Sequence, residues 1–496
     1  MKKARIFLLP TALISIAAAL SFSELAYGQR VDALGPEVRK YLSVSTAKVI
    51  LEHVQIIDGT GAAAVPDQNI TIERGKITAI TPGADLPPSE GVTVLNLRGY
   101  SVMPGIVGMH NHLFDLSLPN LGADGSYDSP GLFHQMSFSA PRMYLANGVT
   151  TMRTAGSVAP YIDLRLKQVI DRGAIPGPHM DVTGPYLEGA TDSAFIAMYH
   201  LTGPEDARQP VAYWAERGVT SFKAYKNITR EELSAAVKEA HKHGAKVTGH
   251  LCSVTYAEAA EIGIDNLEHG FQENTALAPD KKPDTCSDSG GDYTLEHKPP
   301  GSPEAERLIA LLIQHHVAIT STLPSLSLSV EGKPPIRAGV FQVLSPSLRE
   351  AYLYSANRPV NKANQAKAAL LLRRDMDLQR AFVAAGGLLL AGADPVGLGG
   401  NIPGFGDQRE IELLVEAGFT PVQAIRIATL NGATFLGRQD QIGSIAAGEN
   451  ADLVVIKGDP ATRIADIENV EIVFKDGVGY DTKKLLDSVK GRYGEY

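Results

Sequence analysis

Cysteine is scarce in this chain. Among 496 residues only Cys252 and Cys286 occur, too few for a fold held together by a disulfide framework. No long run of one charge sign, no low-complexity tract and no short-period repeat interrupts the sequence. Basic residues are outnumbered, 46 Lys and Arg against 55 Asp and Glu, for a formal net charge of -9. That balance argues against nucleic acid as a partner, because phosphate binding wants a basic face. Beyond the first residues no stretch is apolar enough to span a bilayer. What is present is a chain, 44% hydrophobic, long enough to bury a large core and to hold more than one domain.

The N-terminus reads as an export signal. Lys2, Lys3 and Arg5 precede an apolar run from Ile6 to Phe22, and Ala26-Tyr27-Gly28 offers small residues for cleavage before Gln29. The expectation is a soluble, exported product, periplasmic or secreted, with no membrane contact after residues 1–28 are removed. In an oxidising compartment Cys252 and Cys286 either pair or remain a core thiol and a loop thiol. A disulfide is the reading taken, since Cys286 lies in a polar insertion that a tether would hold.

Two kinds of texture alternate along the chain. Residues 47 to 100 show strand-like alternation broken by turn signals such as Asp58-Gly59, and the same texture returns after 442 in Ala451–Lys457 and Val470–Phe474. These end pieces, 29–102 and 437–496, are expected to form one small β-sandwich. Between them short apolar runs at 103–112, 148–154, 180–185, 219–225, 245–250, 265–269, 317–322 and 388–394 alternate with helical stretches. One such helix runs from Glu231 to His243, opened by Thr229 and closed by Gly244. Eight strand–helix units over 103–436 predict an α/β fold, a (β/α)8 TIM-like barrel.

The run from Met103 to His112 ends in His110 and His112, spaced i and i+2. On a strand such residues share a face, so both imidazoles project to one point. Imidazole is the commonest nitrogen ligand for a divalent metal. In a barrel of this kind, functional side chains gather at the C-terminal ends of the strands. Those ends carry His110 and His112 on the first strand, Lys223 on the fourth, His250 on the fifth, His269 on the sixth and Asp394 on the eighth. Singly, each has an ordinary reading as a buried histidine, a surface lysine or a helix cap. Jointly they point to a metal centre.

The motifs Pro104–His112, Ser221–Tyr225, Val247–His250, Leu267–Gly270, Ala391–Asp394 and Gly443–Val454 resemble those of the amidohydrolase superfamily. The similar branch holds imidazolonepropionase-like enzymes, metal-dependent Xaa-Pro dipeptidases and arginine carboxypeptidases, and the resemblance covers nearly all of the chain after residue 28. It implies a zinc held by His110, His112 and Asp394, and a second held by His250 and His269. It implies that Lys223, whose ammonium has no lone pair to offer, bridges them as a carbamate formed with CO2. It gives Asp394 the further role of accepting the proton of a metal-activated water and delivering it to the leaving nitrogen.

The implied reaction is hydrolysis of an amide or peptide-like C–N bond in a small substrate, such as an N-acyl amino acid or an Xaa-Pro dipeptide. A single-metal hydrolase of cyclic amides or lactones is the alternative within the family. A barrel that binds without catalysis is the alternative outside it. A homo-oligomer is compatible with either.

Substrate contacts are less marked. Tyr225 lies on the same strand face as Lys223 and is read equally as a contact to substrate or as rim packing. Arg153 is the other candidate contact, although the chain continues Thr154-Ala155 where relatives place an aspartate after the arginine. Asp394-Pro395 departs from the serine or threonine usual after that aspartate. Long insertions near 272–300, with Asp284, Asp288, Asp292 and Tyr293, and near 324–359, with Arg337, Arg349 and Arg358, are candidate lids. The arginines are read either as a bidentate clamp on a carboxylate or as solvated charges. Glu268, next to His269, is expected to point away from the site, because adjacent strand residues face opposite ways.

Overall fold

The computed structural model describes residues 31–117, 131–190, 197–330, 337–356 and 362–495. The expected export signal and Arg358 lie outside the described residues. All eight apolar runs of the middle region contain strands, and the run 180–185 is divided between two of them at Val182. Ile106–Asn111, Val149–Thr154 and His179–Asp181 make one parallel sheet. Thr183–Glu188, Ser221–Ala224, Lys246–Gly249, Asn266–Leu267, Ala318–Ser321 and Leu389–Ala391 follow one another in chain order in a second, edged by the short Tyr199–His200.

The two sheets touch at both margins. A parallel bridge joins Ser157 to Pro185. At the other margin Ala393 N and Asp394 N both donate to His110 O, at 3.1 and 2.9 Å. The strands are buried on both faces, which is why they read as nearly continuous apolar runs.

Helices alternate with these strands and cover them. Arg230–Lys242 opens on a capping box in which Thr229 and Glu232 satisfy each other's backbone N–H. Pro303–Gln314 starts with Ser302 as N-cap and proline in its first turn. Lys362–Ala384 turns Leu371, Leu372, Leu378 and Phe382 inward.

The two chain ends meet in a single nine-stranded sheet. Leu453–Lys457, from the C-terminal part, pairs antiparallel with Tyr100–Pro104, from the N-terminal part, along five residue pairs. Its core is Val49, Leu51, Ile70, Ile72, Leu453, Val455 and Phe474. The chain therefore passes straight from this sheet into the strand that ends in His110. Among the described residues, no helix is long and apolar enough to cross a membrane.

Candidate metal centre

The ends of five parallel strands bring the six expected ligands together. His110 and His112 close the strand Ile106–Asn111 and are 0% and 2% exposed. Asp394 Oδ1 lies 3.0 Å from His112 Nε2 and 3.4 Å from His110 Nε2. Lys223 Nζ is 3.3 Å from His110 Nε2. The His269 ring stands 4.7 Å from that of His110 and 4.6 Å from that of His250. One ligand atom each of His110, His269 and Asp394 falls within 4.8 Å of the others.

Backbone shape makes this convergence possible. His269 has φ +63° and Asp394 φ +49°, the left-handed region that non-glycine residues seldom adopt. Both residues sit where a strand has just ended, and there the side chains of His269 and Asp394 come up against His110. Gly392 has to be small, because a Cβ there would stand 2.3 Å from His110 Cβ. Asn401 Nδ2 donates to the carbonyls of Ala393 and Asp394, pinning the turn.

Glu268 does not point away. The strand ends at Leu267 and the backbone turns at His269, so alternation no longer applies. Glu268 is 0% exposed, and its Oε2 accepts from His110 Nδ1 at 2.7 Å. Arg153 Nη2 donates to Glu268 Oε1 and to Asn266 Oδ1, both at 2.7 Å, and its Nε donates to Met109 O. Thr248 Oγ1 donates to Glu268 as well. A carboxylate behind a ligating histidine fixes its tautomer and turns the other ring nitrogen outward. Arg153, read from the sequence as a substrate contact, lies 1% exposed beneath the cluster with most of its guanidinium committed to this network.

The electrostatics favour ligation. Burial pulls the His112 pKa down to about 4, and puts those of His250 and His269 well below the usual imidazole value. These rings are held neutral, the form a metal binds. His269 Nδ1 pairs with Thr322 Oγ1 and His250 Nδ1–H with Leu251 O, leaving each Nε2 for the cluster. Burial works against the charge of Asp394, but His110 and His112 outweigh it and hold the carboxyl well below the ordinary range. Burial lowers the Lys223 pKa to about 8, against the pull of Glu268 and Asp394. Neutral imidazole nitrogens and ionised carboxylate, sealed and oriented from behind, fit a divalent metal of the zinc class.

Tyr225 stands beside the centre, its ring 4.8 Å from that of His250 and 5.3 Å from that of Tyr186. Tyr186, Phe114, Phe133 and Val396 extend an apolar wall next to His112. Two further neighbours escaped the sequence. Ser325 Oγ donates to Asp394 Oδ2 at 3.1 Å, and Glu273 Oε2 lies 3.6 Å from His250 Nδ1. Both sit on segments after the strands, where no spacing rule reaches. Tyr186 was open to the strand-end argument, since it lies on the third strand.

The insertions reach the centre through Glu273 and Ser325, while their other named side chains pair elsewhere. A disulfide joins Cys252 to Cys286 and ties the first insertion down two residues beyond His250. Asp284 pairs with Arg230, and Asp292 with Lys367. Tyr293 stacks on His297. Arg337 is spent on Gln408, Glu412 and Glu468, and Arg349 Nη2 donates to Gln342 O.

With this geometry in hand, the comparisons with known proteins agree. The model of the amidohydrolase family matches residues 101–479. An imidazolonepropionase of Parabacteroides distasonis is 29% identical over 152 residues, 29% of this chain and 30% of that protein's length. Among solved structures, a Xaa-Pro dipeptidase with methionine bound in its active site superposes with TM-score 0.64 at 20% identity, over 88% of this chain and 100% of the other. A bottromycin amidohydrolase superposes with TM-score 0.65 at 21% identity, over 91% of this chain and 93% of the other.

Proposed function

The chain belongs to the amidohydrolase family, hydrolases acting on carbon–nitrogen bonds, and on that premise we propose that it cleaves the amide bond of an N-acyl amino acid or a dipeptide such as Xaa-Pro at a two-zinc centre. The family generally uses divalent metals. The observation that carries the reading is the meeting of His110, His269 and Asp394 within 4.8 Å, with Glu268 bonded behind His110.

In this proposal His110, His112 and Asp394 would hold one ion, His250 and His269 the other, and carboxylated Lys223 would span the two. When bound, such ions polarise the scissile carbonyl and make water a nucleophile at neutral pH. Asp394 accepts the proton of the attacking water and returns it to the leaving nitrogen, with Ser325 orienting its second oxygen. Arg153 and Glu268 position His110. Tyr225 orients the substrate, whose apolar part lies against Phe114 and Tyr186. The sequential strand order and the two marginal backbone links support closure of the parallel strands into a (β/α)8 barrel over 103–436. The basic and apolar N-terminal segment supports export.

The test is hydrolysis by zinc-reconstituted protein of N-acyl amino acids, dipeptides ending in proline or a basic residue, and cyclic amides. Turnover of linear amides is expected. Turnover confined to cyclic amides would replace this substrate class with one like that of imidazolonepropionase.

A further inference from the structure

Far from the catalytic cluster, three more ligand-type side chains converge. His179 opens the strand His179–Asp181, at the opposite end of the parallel strands from the metal centre. Asp452 precedes Leu453–Lys457, and Asp476 follows Val470–Lys475, both in the sheet built from the chain ends. His179 Nε2 lies 3.1 Å from Asp476 Oδ1 and 3.9 Å from Asp452 Oδ2. One ligand atom from each residue lies within 4.8 Å of the other two.

We propose that His179, Asp452 and Asp476 form a separate site for a divalent cation of the zinc class, joining the end-built sheet to the parallel strands. Bonds of about 2.0–2.2 Å in a tetrahedral site place ligand atoms about 3.4 Å apart. The observed spacings bracket that edge. An imidazole with two carboxylates selects zinc or manganese over calcium or magnesium, which prefer all-oxygen shells.

A second observation points into the same space. Asp452 is 3% exposed, and its Oδ2, the atom facing His179, has no hydrogen-bond partner. A buried carboxylate oxygen left in that state is costly. The other oxygen is not free to compensate, because Asp452 Oδ1 accepts from Asp476 N at 2.7 Å. That bond holds the two carboxylates side by side, with Asp476 at φ +52°. Lys475 and Arg438 act on this pair electrostatically, yet Asp452 Oδ2 remains unbonded. A cation bound between the three residues satisfies it.

The experiment counts zinc. Parent, His179→Ala and His179→Gln are equilibrated with zinc, desalted and analysed by mass spectrometry of the metal, with circular dichroism to verify folding. Both variants are expected to carry one ion fewer per chain than the parent, and to lose part of the upward shift in unfolding temperature that zinc gives the parent. The glutamine variant keeps a polar side chain facing Asp476, so a folded control remains if the alanine variant is unstable. The same comparison in a His110→Ala background should again show one ion fewer, separating this site from the catalytic one. Equal zinc content in the parent and the folded variants would overturn the proposal and leave His179 as an ion-pair partner of Asp476 alone.

Discussion

His110 Nδ1 donates to Glu268 Oε2 at 2.7 Å, and both side chains are sealed from solvent. Glu268 is held ionised despite burial by Arg153, His110 and Lys223. Glu268→Gln keeps the shape but leaves Arg153 as an uncompensated buried charge. Breaking such a pair costs about 3–5 kcal/mol of stability, and loss of the carboxylate behind a ligating histidine weakens metal binding about 10–100-fold. Zinc competition against a chromophoric chelator and denaturant unfolding check the two effects. Unchanged zinc affinity would show that Glu268 only fills space.

Much of this centre was legible in the sequence, and the exceptions share a cause. His-x-His spacing and the ends of apolar runs locate the side chains that converge because strand geometry is periodic. Strand alternation does not place Glu268, because the strand ends at Leu267 and the φ of His269 breaks the period. The run 265–269 yields only the two-residue strand Asn266–Leu267 for the same reason. Ser325 and Glu273 lie on connections whose paths are set by tertiary packing. Arg337 had two open readings, a substrate clamp or a solvated charge. It is neither, because Glu412 and Glu468 come from distant parts of the chain.

Lys223 offers a test by rescue. An ammonium 3.3 Å from His110 Nε2 has no lone pair to give a metal, so the proposed bridging role rests on carboxylation. Lys223→Ala is expected to lose about a hundredfold or more in turnover, the range of a step that needs a positioned proton carrier or ligand. Added acetate or propionate with zinc should restore part of it by supplying the missing oxygens. Full activity in the alanine variant, with no response to short carboxylates, would make Lys223 an ordinary interior residue.

Asp375 sets a pH dependence of stability. Burial raises its pKa to about 7, although Phe271 N and Gln379 Nε2 donate to it. The folded chain therefore keeps a proton that the unfolded chain releases near pH 4. Its contribution falls as pH rises from about 4 to about 7, because the folded state must then either hold the proton or bury a charge. Asp375→Asn removes that dependence, and with the Gln379 amide turned over the asparagine Nδ2 can donate to Gln379 Oε1, which lacks a partner. Relative to the parent, the variant should gain stability across this window, by a few kcal/mol at its upper end. Parallel unfolding curves for the two proteins from pH 4 to pH 8 would show that Asp375 does not titrate in this range.

Asp394 is placed to do two jobs, and asparagine separates them. Its Oδ1 faces His112 Nε2 and His110 Nε2, while Oδ2 accepts from Ser325. Asparagine keeps the shape and one ligating oxygen, but as a neutral amide it accepts a proton poorly. The turn itself should survive, because the left-handed φ at 394 suits asparagine at least as well as aspartate. Asp394→Asn is therefore expected to keep its fold and most of its zinc while turnover falls about a hundredfold or more, the scale of a lost general base. KM should change far less than kcat, since the defect lies in the chemical step. Metal content, unfolding temperature and steady-state kinetics on one preparation distinguish the outcomes. A variant with full zinc and parental kcat would assign the proton to another group, and Glu273, 3.6 Å from His250 Nδ1, would be the next to test.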